Sequence, residues 1–367
     1  MTDASGITDL LRPDLRGKSP YGAPQIQVPC RLNVNENPYP PSKEMVEAVA
    51  LAVAKETTML NRYPDRDAIA LRQALVQYVN GDAGVDFDYR HVWAANGSNE
   101  VMLELMQAFG GPGKKALTFS PTYSMYPDYC RDTFTEFVAV PRREDFSVDM
   151  DLILDAISAH QPDVLLFASP NNPTGTALDP RILEQVYDAF DGLVIVDEAY
   201  AEFRRPQTRS ALSFLHGRPR LVVTRTMSKA FALAGARVGY LIADPAVVDA
   251  VQLVRLPYHL SATTQAVAST ALRFATDLLS QVKQLRESRD DLVKWLASQG
   301  FDVADSDANF VMFGRFADTH QVWQSLLDQG VLIRETGPRG WLRVSIGTPE
   351  EMASFKQALM NSTKGTA

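Results

Sequence analysis

Cysteine is nearly missing from this chain: Cys30 and Cys130 are the only two in 367 residues. They are too few and too far apart for a disulfide framework, and no histidine pattern surrounds them, so both read as reduced thiols and no metal site is expected. Positive charge is also short, with 36 Lys and Arg against 44 Asp and Glu and a formal charge of -8. That balance argues against a nucleic-acid surface, and it means that an anionic substrate would be drawn in by locally placed arginines rather than by the overall field. Long apolar runs are lacking too. The stretch 256–272 is free of acidic and basic residues, yet it carries Tyr258, His259, Gln265 and several hydroxyls, so it does not read as a membrane span. The start, Met1 to Gly6, has neither the basic residues nor the apolar segment of a secretion signal, and a cytoplasmic location is expected.

What is present is a 46% hydrophobic, 22% charged composition of globular type. The length exceeds one ordinary core and predicts two domains. Residues 1–43 hold seven of the 22 prolines, which blocks long helices and predicts an extended arm with turns. Its apolar residues Tyr21, Ile26, Val28, Leu32 and Val34 need a surface to lie on. Met45, Val49 and Val53 then share one helical face, and Ala68, Leu71, Leu75 and Val79 another, up to a glycine stop at Gly81. Strand-like runs follow at 91–95, 116–119, 134–140, 164–168, 193–197, 221–225 and 239–243, most of them separated by helical lengths. This alternation predicts an α/β domain over 44–256, with a mainly parallel seven-stranded sheet covered on both faces. From 257 to 367 a long helical region (264–298) and short strands at 310–313, 331–334 and 342–346 predict a smaller α+β domain.

The chemistry concentrates at strand ends. The apolar run Leu193–Val196 closes on Asp197 and Glu198, and Lys229 follows 32 residues after Asp197, flanked by Ser228 and then by Gly235 and Arg237. A carboxylate for a pyridinium nitrogen, an amine for an aldehyde, and a serine and an arginine for a phosphate are what holding pyridoxal phosphate requires. Alone, each piece has a plainer reading, since a strand-terminal Asp is often a turn or helix cap and a lysine beside a serine is usually solvated. Upstream, Ser169-Pro170-Asn171-Asn172-Pro173-Thr174-Gly175 stops the strand 164–168 in a turn at its carboxyl end, where open parallel sheets bind ligands. There Asn172 can donate to a ring oxygen. Gly97-Ser98-Asn99 opens a helix over 100–109, and its amides could cradle a phosphate on the positive helix end.

The segments SPNNPTG (169–175), VDEAY (196–200), TMSKAFALAGARVGY (226–240) and WLRVSIG (341–347) resemble the fold type I, aspartate-aminotransferase superfamily of pyridoxal phosphate enzymes. LRGKSPYGAPQ (15–25), LNVNENPYPPS (32–42), NRYPD (61–65) and AANGSNE (94–100) narrow the resemblance to the histidinol-phosphate aminotransferases, from near residue 10 almost to the end.

That resemblance implies a ping-pong transamination between histidinol phosphate and 2-oxoglutarate. It implies that Ser98, Asn99, Thr226, Ser228 and Arg237 hold the cofactor phosphate, with Tyr63 supplied by the other subunit of a homodimer. Tyr123 matches the aromatic stacked on the ring and Tyr200 the phenol that bonds the ring oxygen beside Asn172, while Lys229 is the proton carrier. Arg343 matches the arginine for a substrate carboxylate and Arg334 the one for a substrate phosphate, and arginine's planar fork suits both anions. For Arg334 the plainer reading is an ion pair with Glu335 or Glu351. Asn309 and Tyr21 are further candidates for contacting substrate, whereas Tyr126 and His259 are expected to pack or support. An aromatic amino acid aminotransferase, or a lyase or decarboxylase on the same scaffold, remains an alternative.

Overall fold

The structure is a computed structural model that describes residues 5–363. Its largest sheet has seven strands, in the spatial order Val92–Ala95, Gly239–Ala243, Leu221–Thr226, Leu193–Asp197, Val164–Ala168, Lys115–Ser120, Glu136–Pro141. Gly239–Ala243 runs antiparallel to both of its neighbours, and the remaining pairs are parallel. Central strands are apolar throughout because both faces are covered. Alternate residues go to opposite sides. Leu165, Phe167, Val194 and Val196 join one buried cluster, while Val164, Leu166 and Ile195 join another with Trp93, Met106 and Val248.

Parallel strands bring their carboxyl ends to one edge, and the register there sets the site. Ala168 pairs with Asp197, Asp197 with Thr224, Thr226 with Gly239, and Gly239 with Ala95. Because Gly239–Ala243 is reversed, it is its amino end, just after Arg237, that reaches this edge. Segments distant in sequence therefore meet, as expected of a doubly wound sheet.

A second sheet has Phe310–Gly314 at its centre, flanked antiparallel by Trp341–Ser345 and by Asp302–Val303. The helices Ala275–Ser298, Thr319–Asp328 and Pro349–Thr363 belong to the same C-terminal stretch. The arm is tied to it by Cys30–Arg31, which pairs parallel with Val331–Leu332. Beyond that strand Leu32 is buried, whereas Tyr21 and Ile26 stay exposed in the single chain.

Several expected boundaries move. The predicted long helix is two, Ala262–Leu272 and Ala275–Ser298, separated at Arg273 and Phe274. Gly81 does not stop its helix, which runs to Ala83 and ends at Gly84 in the left-handed region at φ 64°. The outermost strand starts at Glu136 because Phe134 sits in a turn at φ 57°. The run 331–334 gives a strand of two residues, after which Arg334 makes an isolated bridge to Arg343. The arm also contains short helical turns at Ser5–Thr8 and Pro13–Leu15. Both thiols are buried and free, with burial pushing Cys30 and Cys130 up to about 12. Among the described residues no helix is long and apolar enough to cross a membrane.

Candidate active site

One pocket opens at the carboxyl edge of the large sheet, and thirteen of the fifteen residues singled out above line it. Asp197 reaches it from the end of its strand, while its neighbour Glu198 points the other way to a buried Arg225, 3.0 Å from Nη2. Asp197 accepts from the Tyr126 hydroxyl at 3.1 Å, the Thr224 hydroxyl at 3.3 Å and the Ala199 amide at 3.2 Å. Burial outweighs these donors and pushes the carboxyl up to about 6. Such a group is best satisfied by a cationic N–H in the pocket. The turn that carries Asn172 is tied to this strand through the Ser169 amide and the Asp197 carbonyl, 2.9 Å apart, and is braced by Asn171, which bonds Thr122, Thr174 and the Pro121 carbonyl.

The Lys229 ammonium enters from the loop after Leu221–Thr226 and donates to the Val34 carbonyl at 3.0 Å. Burial, helped by the charge of Arg343, brings its pKa down to about 8. A lysine that loses its proton near neutrality is a nucleophile and a proton carrier.

Opposite lies an anion cradle. Gly97 precedes the helix Ser98–Phe109 without any side-chain cap, so the first-turn amides of Ser98 and Asn99 have no acceptor among the described residues. The Thr226 hydroxyl lies 3.0 Å from Ser228 Oγ, and Arg237 Nη1 lies 3.4 Å from that same oxygen. Close approach demands glycine here: a Cβ on Gly239 would come within 2.1 Å of the Ser98 amide, and one on Gly97 within 2.5 Å of Arg237 Nη2. Tyr123 stands edge-on to Tyr126 and donates to Asn99 Oδ1 at 3.2 Å.

Arg343 is buried, lines the pocket and lies over the Phe310 ring. It donates to the Asn172 side-chain oxygen and, at 2.9 Å, to the Asn33 carbonyl, while its Nε has no partner. No carboxylate faces it among the described residues, and burial brings it down to about 10. A buried guanidinium without a counter-charge fits an anionic ligand. Arg334, bridged to Arg343 through the backbone, lines the same pocket and makes no ion pair among the described residues. Glu335 instead pairs with His320 at 3.0 Å, and Glu351 accepts from the Thr348 amide.

Two of the predicted residues stand apart. Tyr63 is 79% exposed and stacks on Tyr258, away from the pocket of its own chain. Asn309 is buried behind the wall, donating to the Asn35 carbonyl at 3.1 Å. Tyr21 lines the pocket from the arm and is about half exposed. Tyr126, expected to pack, does more: it is fully buried and its hydroxyl is spent on Asp197. His259 is stacked on Trp93 with Nε2 at 2.9 Å from the Ala94 carbonyl. Its ring approaches Glu100 and Glu104, whose carboxylates already accept from Asn96 and Trp93. Asn35, Asn33 and Thr224 were not foreseen. The only sign of Asn35 was its place inside LNVNENPYPPS.

The chain matches the family model for aminotransferase class I and II over residues 29–359. It is 62% identical to the histidinol-phosphate aminotransferase of Thermobifida fusca, covering 97% of this chain and 96% of that one. It is 56% identical to the histidinol-phosphate aminotransferase of Frankia casuarinae, covering 99% and 92%. Among solved structures, the histidinol-phosphate aminotransferase of Sinorhizobium meliloti in complex with pyridoxal-5'-phosphate superposes with a TM-score of 0.81 at 23% identity, over 93% of this chain and 92% of that one. A Thermus thermophilus aspartate aminotransferase mutant superposes with a TM-score of 0.80 at 22% identity, over 96% and 99%. These two likenesses speak to the fold, which is fold type I.

Proposed function

We propose how this chain, which belongs to the class I and II aminotransferases and among them to the histidinol-phosphate aminotransferases, performs its reaction. It is a pyridoxal-phosphate-dependent transaminase of histidine biosynthesis. It exchanges the amino group between L-histidinol phosphate and 2-oxoglutarate, giving imidazole-acetol phosphate and L-glutamate. The observation that carries the substrate assignment is the pair of pocket arginines, Arg334 and Arg343, neither facing a carboxylate among the described residues. A substrate phosphate and a substrate carboxylate each need one such fork.

The residues present fit the cofactor. The uncapped amides of Ser98 and Asn99, with Thr226, Ser228 and Arg237, would hold its phosphate. Asp197 would face the ring nitrogen, Asn172 and Tyr200 the ring oxygen, and Tyr123 the ring face. When bound, pyridoxal phosphate supplies the electron sink that lets the substrate's Cα–H bond ionise. Asp197, as a buried carboxylate, keeps a proton on the ring nitrogen: at about 4 Å such a pair is worth roughly 4 kcal/mol at an effective dielectric near 20. Lys229, its pKa already down to about 8, would take the Cα proton as general base and, as general acid, deliver it to the cofactor carbon on the other side of the amino nitrogen. Arg343 and Arg334 orient the substrate's anionic ends. Asn172 accepts from Arg343 through its side-chain oxygen, which leaves the side-chain nitrogen to donate to the ring oxygen.

The same reading makes the chain a cytoplasmic homodimer with the arm at 1–43, the cofactor domain at 44–256 and the small domain at 257–367. Support for the dimer comes from Tyr63 and from Leu51, Met59, Leu60, Leu253 and Leu256, all large apolar side chains exposed in the single chain. Tyr63 would complete the partner's phosphate site. The deciding experiment mixes the cofactor-loaded enzyme separately with L-histidinol phosphate, L-phenylalanine and L-glutamate and follows the visible absorbance of the bound cofactor in each half-reaction. Fast conversion by histidinol phosphate and glutamate, with slow conversion by phenylalanine, is expected. Preference for phenylalanine overturns the substrate assignment.

A further inference from the structure

We propose that Asn35 is a positioning residue for this reaction, holding the Tyr200 hydroxyl as an acceptor so that the phenol's one proton is directed at the ring oxygen of the bound cofactor. The inference rests on the placement of the cofactor given above and adds a residue to it.

The direction of each proton follows from donor and acceptor counts. The Asn35 amide N–H donates to Ser345 Oγ at 2.9 Å, which leaves the serine's own proton for Asn35 Oδ1, also at 2.9 Å. That bond fixes the side-chain amide: its oxygen faces Ser345, so its nitrogen faces Tyr200, 3.0 Å from the hydroxyl. An amide nitrogen cannot accept. The Tyr200 proton therefore goes elsewhere, and no other partner of that hydroxyl exists among the described residues, so it points into the pocket that both side chains line.

The backbone is built to keep Asn35 there. It stands in the left-handed region at φ 56°, which asparagine tolerates better than most residues, and the buried Asn309 donates to its carbonyl at 3.1 Å. Asn309 thus serves as a brace for Asn35. Ser345 lies two residues after Arg343 on the same strand, hence on the same face, so the phenol is registered against the arginine that grips substrate. Burial holds the Tyr200 phenol above its ordinary range, and the charge of Arg343 and the Asn35 bond pull it back. A phenol oxygen relieved by a donor is itself the stronger donor, and it stabilises the deprotonated ring oxygen.

The test is a pH titration of the bound cofactor's visible band in wild type, Asn35→Gly, Tyr200→Phe and the double variant. Glycine suits the left-handed backbone, so the side chain is removed without strain. Asn35→Gly should raise the midpoint by roughly half to one pH unit, the size of one ordinary hydrogen bond. It should lower kcat while KM for glutamate moves less than about twofold, and it should add nothing in the Tyr200→Phe background. Asn35→Asp, which keeps the shape but turns the donor into an acceptor, should raise the midpoint further. An unmoved midpoint in Asn35→Gly, or the same rise with Tyr200 already replaced, overturns the proposal. If Tyr200→Phe itself leaves the midpoint unchanged, the assignment of Tyr200 to the ring oxygen fails first, and that result is visible without touching Asn35.

Discussion

The Tyr126 hydroxyl donates to Asp197 Oδ2 at 3.1 Å, with both side chains buried and only Asp197 lining the pocket. This one bond offsets part of the burial that pushes the carboxyl up to about 6, so Tyr126 helps keep Asp197 ionised when a protonated ring nitrogen is its partner. Tyr126→Phe removes the donor and little volume. A hydrogen bond to a charged group contributes about 1.5 to 3 kcal/mol. Cofactor affinity measured by equilibrium dialysis should therefore fall roughly tenfold or more, with kcat reduced alongside. Unchanged affinity would leave Tyr126 with packing alone.

Lys229 makes a prediction about stability as well as turnover. Its folded pKa lies near 8 against 10.5 for the free side chain, so the unfolded chain binds the extra proton between those values, and stability rises as pH climbs through that window. Below pH 8 the half-buried ammonium is therefore a cost, about 2 kcal/mol once its partial exposure is allowed for. In the cofactor-free protein Lys229→Met should melt a few degrees higher than wild type at pH 7, and the advantage should vanish above about pH 10.5. Turnover should drop below about a hundredth of wild type, since general acid-base catalysis is typically worth 10² to 10⁴. A variant that melts lower at pH 7 would contradict the burial argument.

Much of this site was legible because its parts are local. Asp197, Asn172 and Lys229 each end or follow an apolar strand, and strand ends in an alternating pattern collect at one edge of a parallel sheet. Tyr126 and Asn35 were not legible for the opposite reason. Their hydrogen bonds span 71 and 165 residues, and nothing in the local sequence distinguishes a tyrosine that packs from one that donates to a buried carboxylate. The break at Arg273 and Phe274 was missed because apolar spacing continues across it, whereas Gly81 was overread: glycine weakens a helix interior by roughly 1 kcal/mol and does not by itself end one.

Tyr63 gives a test of assembly. Exposed in its own chain, it acts only if a second copy brings it to a pocket. Sedimentation should show a dimer, and Tyr63→Ala should weaken cofactor retention. Mixing Tyr63→Ala with Lys229→Ala, each poorly active alone, should restore about a quarter of wild-type activity, because random exchange makes half of the dimers mixed and each mixed dimer has one intact site. Absence of any recovery after subunit exchange, or a fully active monomer, rules out a shared site.

The two arginines should separate the half-reactions. Arg334 lines the pocket without an ion pair among the described residues, Arg343 lines it over Phe310, and the two are bridged through their backbones. Histidinol phosphate carries a phosphate and no carboxylate, glutamate carries carboxylates and no phosphate, and phenylalanine has only the carboxylate. Arg334→Ala removes one charge-assisted contact of about 1.5 to 3 kcal/mol, hence a roughly 10- to 150-fold loss of kcat/KM for histidinol phosphate. Phenylalanine, having nothing for Arg334 to hold, should be almost unaffected. Arg343→Ala should harm glutamate and 2-oxoglutarate more. It also removes the donor that orients the Asn172 side chain and the one on the Asn33 carbonyl, so its effect should extend to cofactor retention, which Arg334→Ala spares. Equal losses for phenylalanine and histidinol phosphate in Arg334→Ala would make that residue structural and return the substrate question to the aromatic amino acids.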